Sequence, residues 1–207
     1  MVEITKITDQ KNKGKFNLFV DGEFYAGVLK EVAIANNFFV GKQLDKKELD
    51  DILIESETKQ AFSKASDYLG TRLHTKFELR TKLSKKGYSK EAIRGAINRL
   101  ENYGYIDDKA FARTFVNSNA ILSKKMLENK LLSKGVSKEI VSEVLAGLSA
   151  EDQYQSCQVA AQKYLKGKNM QEAREKLYAH LVRKGYDYAC ISKIIKQIYN
   201  VDFDFGE

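Results

Sequence analysis

The sequence predicts a mostly α-helical protein: three tandem three-helix repeats in an elongated array, preceded by a small N-terminal β-hairpin element. Three observations carry this prediction. A leucine–lysine–glycine motif recurs three times at near-constant spacing, proline is absent from all 207 residues, and the N-terminal stretch places aromatic and β-branched runs on either side of an Asp-Gly pair. Absence of proline permits long helices, because no ring interrupts the backbone ladder.

The β element comes first. Phe16–Val20 and Glu23–Val28 flank Asp21-Gly22, and Asp-Gly suits a tight hairpin because both central residues tolerate positive φ. A two-stranded hairpin alone is marginal in water. It therefore needs a third strand from residues 2–8, where Val2, Ile4 and Ile7 stand, or a helix to pack on. Residues 29–38 and 45–55 read as two short helices around Gly41. Asp45 caps the second, with Glu48 three residues on.

From residue 59 the period becomes helical. Leu79, Leu83, Lys86 and Gly87 align with Leu127, Leu131, Lys134 and Gly135, and with Leu177, Leu181, Lys184 and Gly185; the glycines lie 48 and 50 residues apart. Leucines four apart share one helix face. A glycine just past the helix supplies the left-handed residue of a C-cap, and Ser89, Ser137 or Asp187 caps the helix that follows. The stripes Ile93-Ala96-Ile97-Leu100, Val141-Val144-Leu145-Leu148 and Ile191-Ile194-Ile195-Ile198 complete the pattern. Upstream, Thr75 with Glu78 reads as a capping box, Ser123 is its equivalent, and Asn169 replaces it in the third copy, where Ala173 stands. A further helix precedes each pair, near residues 59–69, 108–119 and 154–166. The predicted boundaries are 1–55 for the β element and short helices, then 56–107, 108–152 and 153–200 for the repeats, and 201–207 for an acidic-aromatic tail. Units this small are weak alone and gain stability by stacking.

Net charge is +7, distributed as −2 over residues 1–55, +5 over 56–109, +1 over 110–152 and +3 over 153–207. An anionic partner should therefore meet the helical body. No apolar run reaches the ~20 residues of a membrane span, and the N-terminus has no secretory pattern. A cytoplasmic protein with reduced, partly buried Cys157 and Cys190 is expected. With only His74 and His180 besides, no metal or catalytic set assembles, so no cofactor is expected. Asp107 and Asp108, at a helix start, read as N-cap and dipole partner, not as acid catalysts. Phe111, Tyr68, Tyr103 and Tyr105 read as core residues around a capped turn.

The run Tyr68-Leu69, Arg72, Glu78-Leu79, Lys82-Leu83 and Lys86-Gly87, then Leu100, Gly104-Tyr105-Ile106-Asp107-Asp108 and Phe111-Ala112-Arg113, resembles the core signature of the RecX family. The hairpin resembles the N-terminal extension of its Gram-positive members. That resemblance implies a regulator, not an enzyme, that binds RecA and its filament on single-stranded DNA. It further implies restraint of recombinase and ATPase activities within homologous recombination, DNA repair and the SOS response. Single- or double-stranded DNA is a further expected partner, and a monomer the expected state.

Lysines at the end of a helix, Lys86, Lys134 and Lys184, complement its dipole. Lys76, Lys124 and Arg174 instead occupy the early helical position, where the dipole disfavours a cation; this adds weight to a binding role, with solvated charge as the alternative. Arg80, Lys82, Lys130 and Lys176 extend that candidate surface. Two other classes also fit the residues. A helix-turn-helix DNA-binding protein would use a similar glycine turn, but needs no array of three. A protein-only helical scaffold would show no salt-sensitive DNA binding.

Overall fold

A computed structural model of the chain describes residues 1–10, 14–170 and 172–200. Among them the order is β1 (Val2–Asp9), β2 (Lys15–Val20), β3 (Glu23–Leu29), α1 (Lys30–Ala35), β4 (Gln43–Leu44), α2 (Lys46–Leu69), α3 (Lys76–Lys85) and α4 (Lys90–Asn102). There follow α5 (Asp108–Ser118), α6 (Lys124–Ser133), α7 (Lys138–Ala146), α8 (Ala150–Leu165), α9 (Arg174–Arg183) and α10 (Tyr188–Tyr199). The fold is mostly helical with a small N-terminal antiparallel sheet.

Two compact units divide the chain: Met1–Leu73 with Leu79–Ile106, and His74–Glu78 with the chain from Asp107 onward. In the first, the strands lie in the order β3-β2-β1-β4. The hairpin turns at Asp21 and Gly22, both at positive φ, and β1 supplies the third strand. A fourth, two-residue strand pairs Val2 with Leu44 and Glu3 with Gln43, which the sequence does not advertise. Ile4, Leu18, Val20 and Val28 bury one face of the sheet against Ala33 and Leu49.

The two helices predicted over 45–55 and 59–69 are one helix of 24 residues, running through residue 55. Asp45 caps it through the backbone N–H groups of Lys47 and Glu48. Ser56 and Thr58, between the two expected helices, are buried. Gly95 of α4 makes room for Thr58: a Cβ there would stand 2.9 Å from the Thr58 methyl group, so the two helices approach closely. The first half of α2 thus packs on the sheet through Leu49 and Leu53. Its second half packs Ala61 and Ala65 on Leu79, Leu83, Ile97 and Leu100. In contrast, α1 is only six residues long and gives way to Asn37 at φ 49°.

The second unit holds two cores. Phe111, Val116, Leu127, Leu131, Val141 and Leu145 join α5, α6 and α7, and Leu177, Leu181, Ile191, Ile194 and Ile195 join α9 and α10 to Cys157 and Ala161 of α8. Both cysteines are free and buried in this last core. Helix α8 starts earlier than expected because Ser149 and Asp152 form a capping box.

Each Lys-Gly turn closes in the same way. Gly87, Gly135 and Gly185 have φ of 86°, 76° and 79°. The next residue's N–H reaches back to a buried leucine carbonyl: Tyr88 to Leu83, Val136 to Leu131 and Tyr186 to Leu181. This is the Schellman arrangement. Ser89, Ser137 and Asp187 then cap the following helices through the N–H groups of Ala92, Ile140 and Cys190. The third repeat departs from expectation at its start, since Ala173 is the N-cap of α9 and no side chain caps it. The Asn169 amide instead donates to Glu172 at 3.1 Å. The tail 201–207 lies outside the described residues.

Candidate functional site

The early-helix cations owe their positions to a hydrogen-bond pattern that occurs twice inside the second unit. The Thr75 hydroxyl accepts from the Glu78 N–H at 3.1 Å and donates to the Lys134 carbonyl at 2.6 Å. The Ser123 hydroxyl accepts from the Met126 N–H at 3.2 Å and donates to the Lys184 carbonyl at 2.5 Å. One hydroxyl therefore caps its own helix and satisfies the carbonyl before the glycine of a following motif. The cations' backbone groups are held likewise: the Lys76 N–H donates to Asp108 at 2.9 Å, and the Lys124 N–H to Gln153 at 2.7 Å. Such pairing meets the demand that buried backbone groups be hydrogen-bonded.

The glycines permit this contact. A Cβ on Gly135 would lie 2.2 Å from the Phe77 Cβ, and one on Gly185 would lie 3.2 Å from the Lys125 Cβ. Phe77 and Lys125 are equivalent second residues of α3 and α6. A Cβ on Gly87 would meet nothing within 4 Å.

Lys124 is exposed and Lys76 half-buried, both at junctions of this kind. Arg174 is half-buried at the uncapped start of α9. Arg80 is exposed one turn after Lys76, on the same helix face. The other members spread around their helices. Lys82, six residues after Lys76, sets its ammonium 4.4 Å from the Tyr68 ring centroid. Lys130 is exposed in the last turn of α6, and Lys176 follows Arg174 by two residues, which turns it about 200° around α9. Helical geometry therefore gathers the first-turn cations at equivalent sites and sends Lys82, Lys130 and Lys176 to other faces.

Lys134 is fully engaged in structure. Its ammonium is 2.8 Å from Glu78, whose other oxygen is 3.0 Å from Nδ1 of buried His74, and it lies within 6 Å of the Phe111 and Phe115 ring centroids. Asp107 accepts from the Lys109 and Ala110 N–H groups at 2.8 and 3.0 Å. Those bonds, led by Ala110, hold its carboxyl below the usual range. Asp108 caps a second helix, through Lys76, in addition to lying in the first turn of its own.

The core reading of the aromatics holds for buried Phe111 and fails for Tyr103 and Tyr105, which are 65% and 61% exposed. Tyr103 packs edge-on against Phe62 at 5.9 Å. Both flank Gly104, where the chain leaves α4, and only Ile106 turns inward. Sequence reasoning also misses the grouping of Lys163, Lys166, Lys168 and Lys184 around one cavity. Its only sequence signal is a lysine-rich stretch without an acidic residue. Among the described residues no His, Cys, Asp and Glu group could hold a metal ion, and no helix is long and apolar enough to cross a membrane.

Family models match in three places: the regulatory protein RecX N-terminal domain over residues 2–45, the RecX first three-helix domain over 61–100 and the RecX third three-helix domain over 151–195. The chain is 32% identical over 204 residues to a regulatory protein RecX of Bacillus licheniformis, covering 95% of this chain and 78% of that one. It is 30% identical to one of Clostridium botulinum, covering 98% and 99%, and 32% identical to one of Bacillus subtilis, covering 97% and 79%. A crystal structure of regulatory protein RecX shares the fold, with a TM-score of 0.65 over 95% of this chain at 24% identity.

Proposed function

Because this chain belongs to the RecX family, we propose that it is a regulator that binds RecA and the RecA filament on single-stranded DNA and restrains recombinase and ATPase activity. It acts as a stoichiometric binding protein without a cofactor, and ATP hydrolysis belongs to RecA. The observation that carries this reading is the likeness itself, which runs through both the β element and the helical body. The repeated junction supports a specific surface for it. Lys76 and Lys124 sit at equivalent positions of α3 and α6, their backbones fixed by Asp108 and Gln153. Arg174 marks the same position of α9. A cation at the first helical position opposes the local dipole, and its retention in all three repeats suits contact with an anionic partner. Arg80, Lys82, Lys130 and Lys176 complete the proposed contact set. The working state is a cytoplasmic monomer.

Co-sedimentation with RecA filaments assembled on single-stranded DNA tests this reading. The chain should pellet with the filament up to a saturating ratio. Recovery in the supernatant at every ratio, from folded protein, would refute it.

A further inference from the structure

The second unit contains a cavity of about 460 Å³ that the early-helix cations do not line. Its floor is apolar: Ile121 before α6, Met126 in the first turn of α6, and Val159 and Ala160 on α8. Ile121 is 47% exposed, so the apolar floor is open to solvent. The rim is cationic, with Lys163, Lys166, Lys168 and Lys184, and among the described residues no Asp or Glu lines the cavity. None of these four lysines has an ion-pair partner among the described residues.

The polar groups at the back of the cavity are already committed. The Ser123 hydroxyl donates to the Lys184 carbonyl at 2.5 Å, and the Tyr186 hydroxyl donates to the Ile121 carbonyl at 3.1 Å while sharing a hydrogen bond with Ser156 at 2.7 Å. The Tyr164 ring packs tilted against His180, with centroids 4.4 Å apart, and Lys168 covers the tyrosine's ring. What remains available is positive charge around a hydrophobic floor. Among the described residues no carboxylate lining the cavity offsets these charges, and they contribute, after burial, to the state of His180. Burial first, and then Lys184, Arg183 and Lys168, push its imidazole below its usual range.

We propose that this cavity is a binding site for single-stranded nucleic acid, seating one unstacked base on the Ile121–Met126–Val159 floor and adjoining phosphates on Lys163, Lys166, Lys168 and Lys184. The site rests on the reading above only in that it gives the regulator its own grip on the strand. A single strand fits because its bases are free to leave the stack for an apolar surface, whereas a duplex offers phosphates with its base faces hidden. Phosphate neutralisation by lysines makes the binding salt-dependent, with about 0.7 of a logarithmic unit of slope per contact on single strands. A phosphate seated there would relieve the repulsion around His180.

The test is a titration of labelled oligothymidylate with the full-length protein, with Lys163→Gln/Lys184→Gln, and with the control Lys90→Gln/Lys138→Gln, at several salt concentrations. All four side chains are exposed and without ion pairs among the described residues, so folding should survive in both variants. The site predicts about tenfold weaker binding and a slope flatter by about 1.4 for the cavity variant, and near-normal binding for the control. Oligothymidylate should also raise the His180 pKa measured by NMR. Met126→Ala should weaken binding without changing the slope, since it removes floor and no charge. Equal loss in both lysine variants, no binding by the full-length protein, or equal lysine-dependent binding of a duplex would overturn the proposal. So would displacement of the strand by inorganic phosphate or thymidine monophosphate at matched phosphate concentration, which would make the cavity a free-anion site. The two readings fail separately. Filament binding without any oligothymidylate binding would sink the cavity and spare RecA regulation, whereas the reverse result would spare the cavity.

Discussion

The turns at Gly87 and Gly135 have the same local structure and different surroundings. Both glycines have positive φ, both follow a lysine, and both close a Schellman arrangement onto a buried leucine. Open space surrounds the missing side chain of Gly87, but Phe77 presses against that of Gly135, and the Lys134 carbonyl beside it receives the Thr75 hydroxyl. The motif therefore does two jobs. It ends a helix wherever it occurs, and it also provides a docking point where a preceding helix start is available. Gly185 repeats the second job with Ser123.

The largest effect should come from Gly135→Ala. Left-handed strain of ~1 kcal/mol adds to overpacking against Phe77, for a combined loss of about 2–4 kcal/mol in urea unfolding. Gly87→Ala should lose only the strain, ~1 kcal/mol. Similar losses at the two glycines would erase the distinction between them.

Serine caps sharpen the same comparison. Ser123→Ala removes the cap of α6 and also leaves the Lys184 carbonyl without its donor, so a loss of about 2 kcal/mol is expected. Ser137→Ala removes only the cap of α7 and should lose ~1 kcal/mol. Matching midpoints for the two variants would mean that the Ser123–Lys184 bond contributes nothing.

Most of the local structure is legible in the sequence, because leucines four apart, cap residues and glycine turns act over a few residues. The junctions are not. Thr75 and Lys134 are 59 residues apart, and Ser123 and Lys184 are 61 apart, so no local pattern announces either bond. Fusion of two expected helices into α2 escaped for a related reason: Thr58 is tolerated inside because Gly95, far along the chain, makes room. The candidate surface was legible as a set of repeated first-turn cations, whereas the cavity lysines come from α8, the segment after it and the end of α9. Tyr103 and Tyr105 show the limit of arguing from residue type, since a turn at Gly104 directs both rings outward.

The smallest expected effect is on acid stability. His180 holds its proton less well when folded, so the unfolded chain binds more protons at mildly acidic pH. Stability is complete above the unfolded value near 6.5 and falls as pH drops through the window beneath it. His180→Gln should flatten that part of the curve in urea titrations between pH 7 and 5, with little change at pH 8. An unchanged slope would show that the folded and unfolded histidines titrate alike.

Regulation of RecA is tested most directly by its DNA-dependent ATP hydrolysis on single-stranded DNA, titrated with this protein and with the Lys76→Gln/Lys124→Gln/Arg174→Gln variant. Hydrolysis should slow as the protein approaches an equal ratio to RecA, and the variant should require a several-fold higher concentration for the same restraint. A rate that stays constant across the whole titration, with folded protein present throughout, would contradict the proposed regulation.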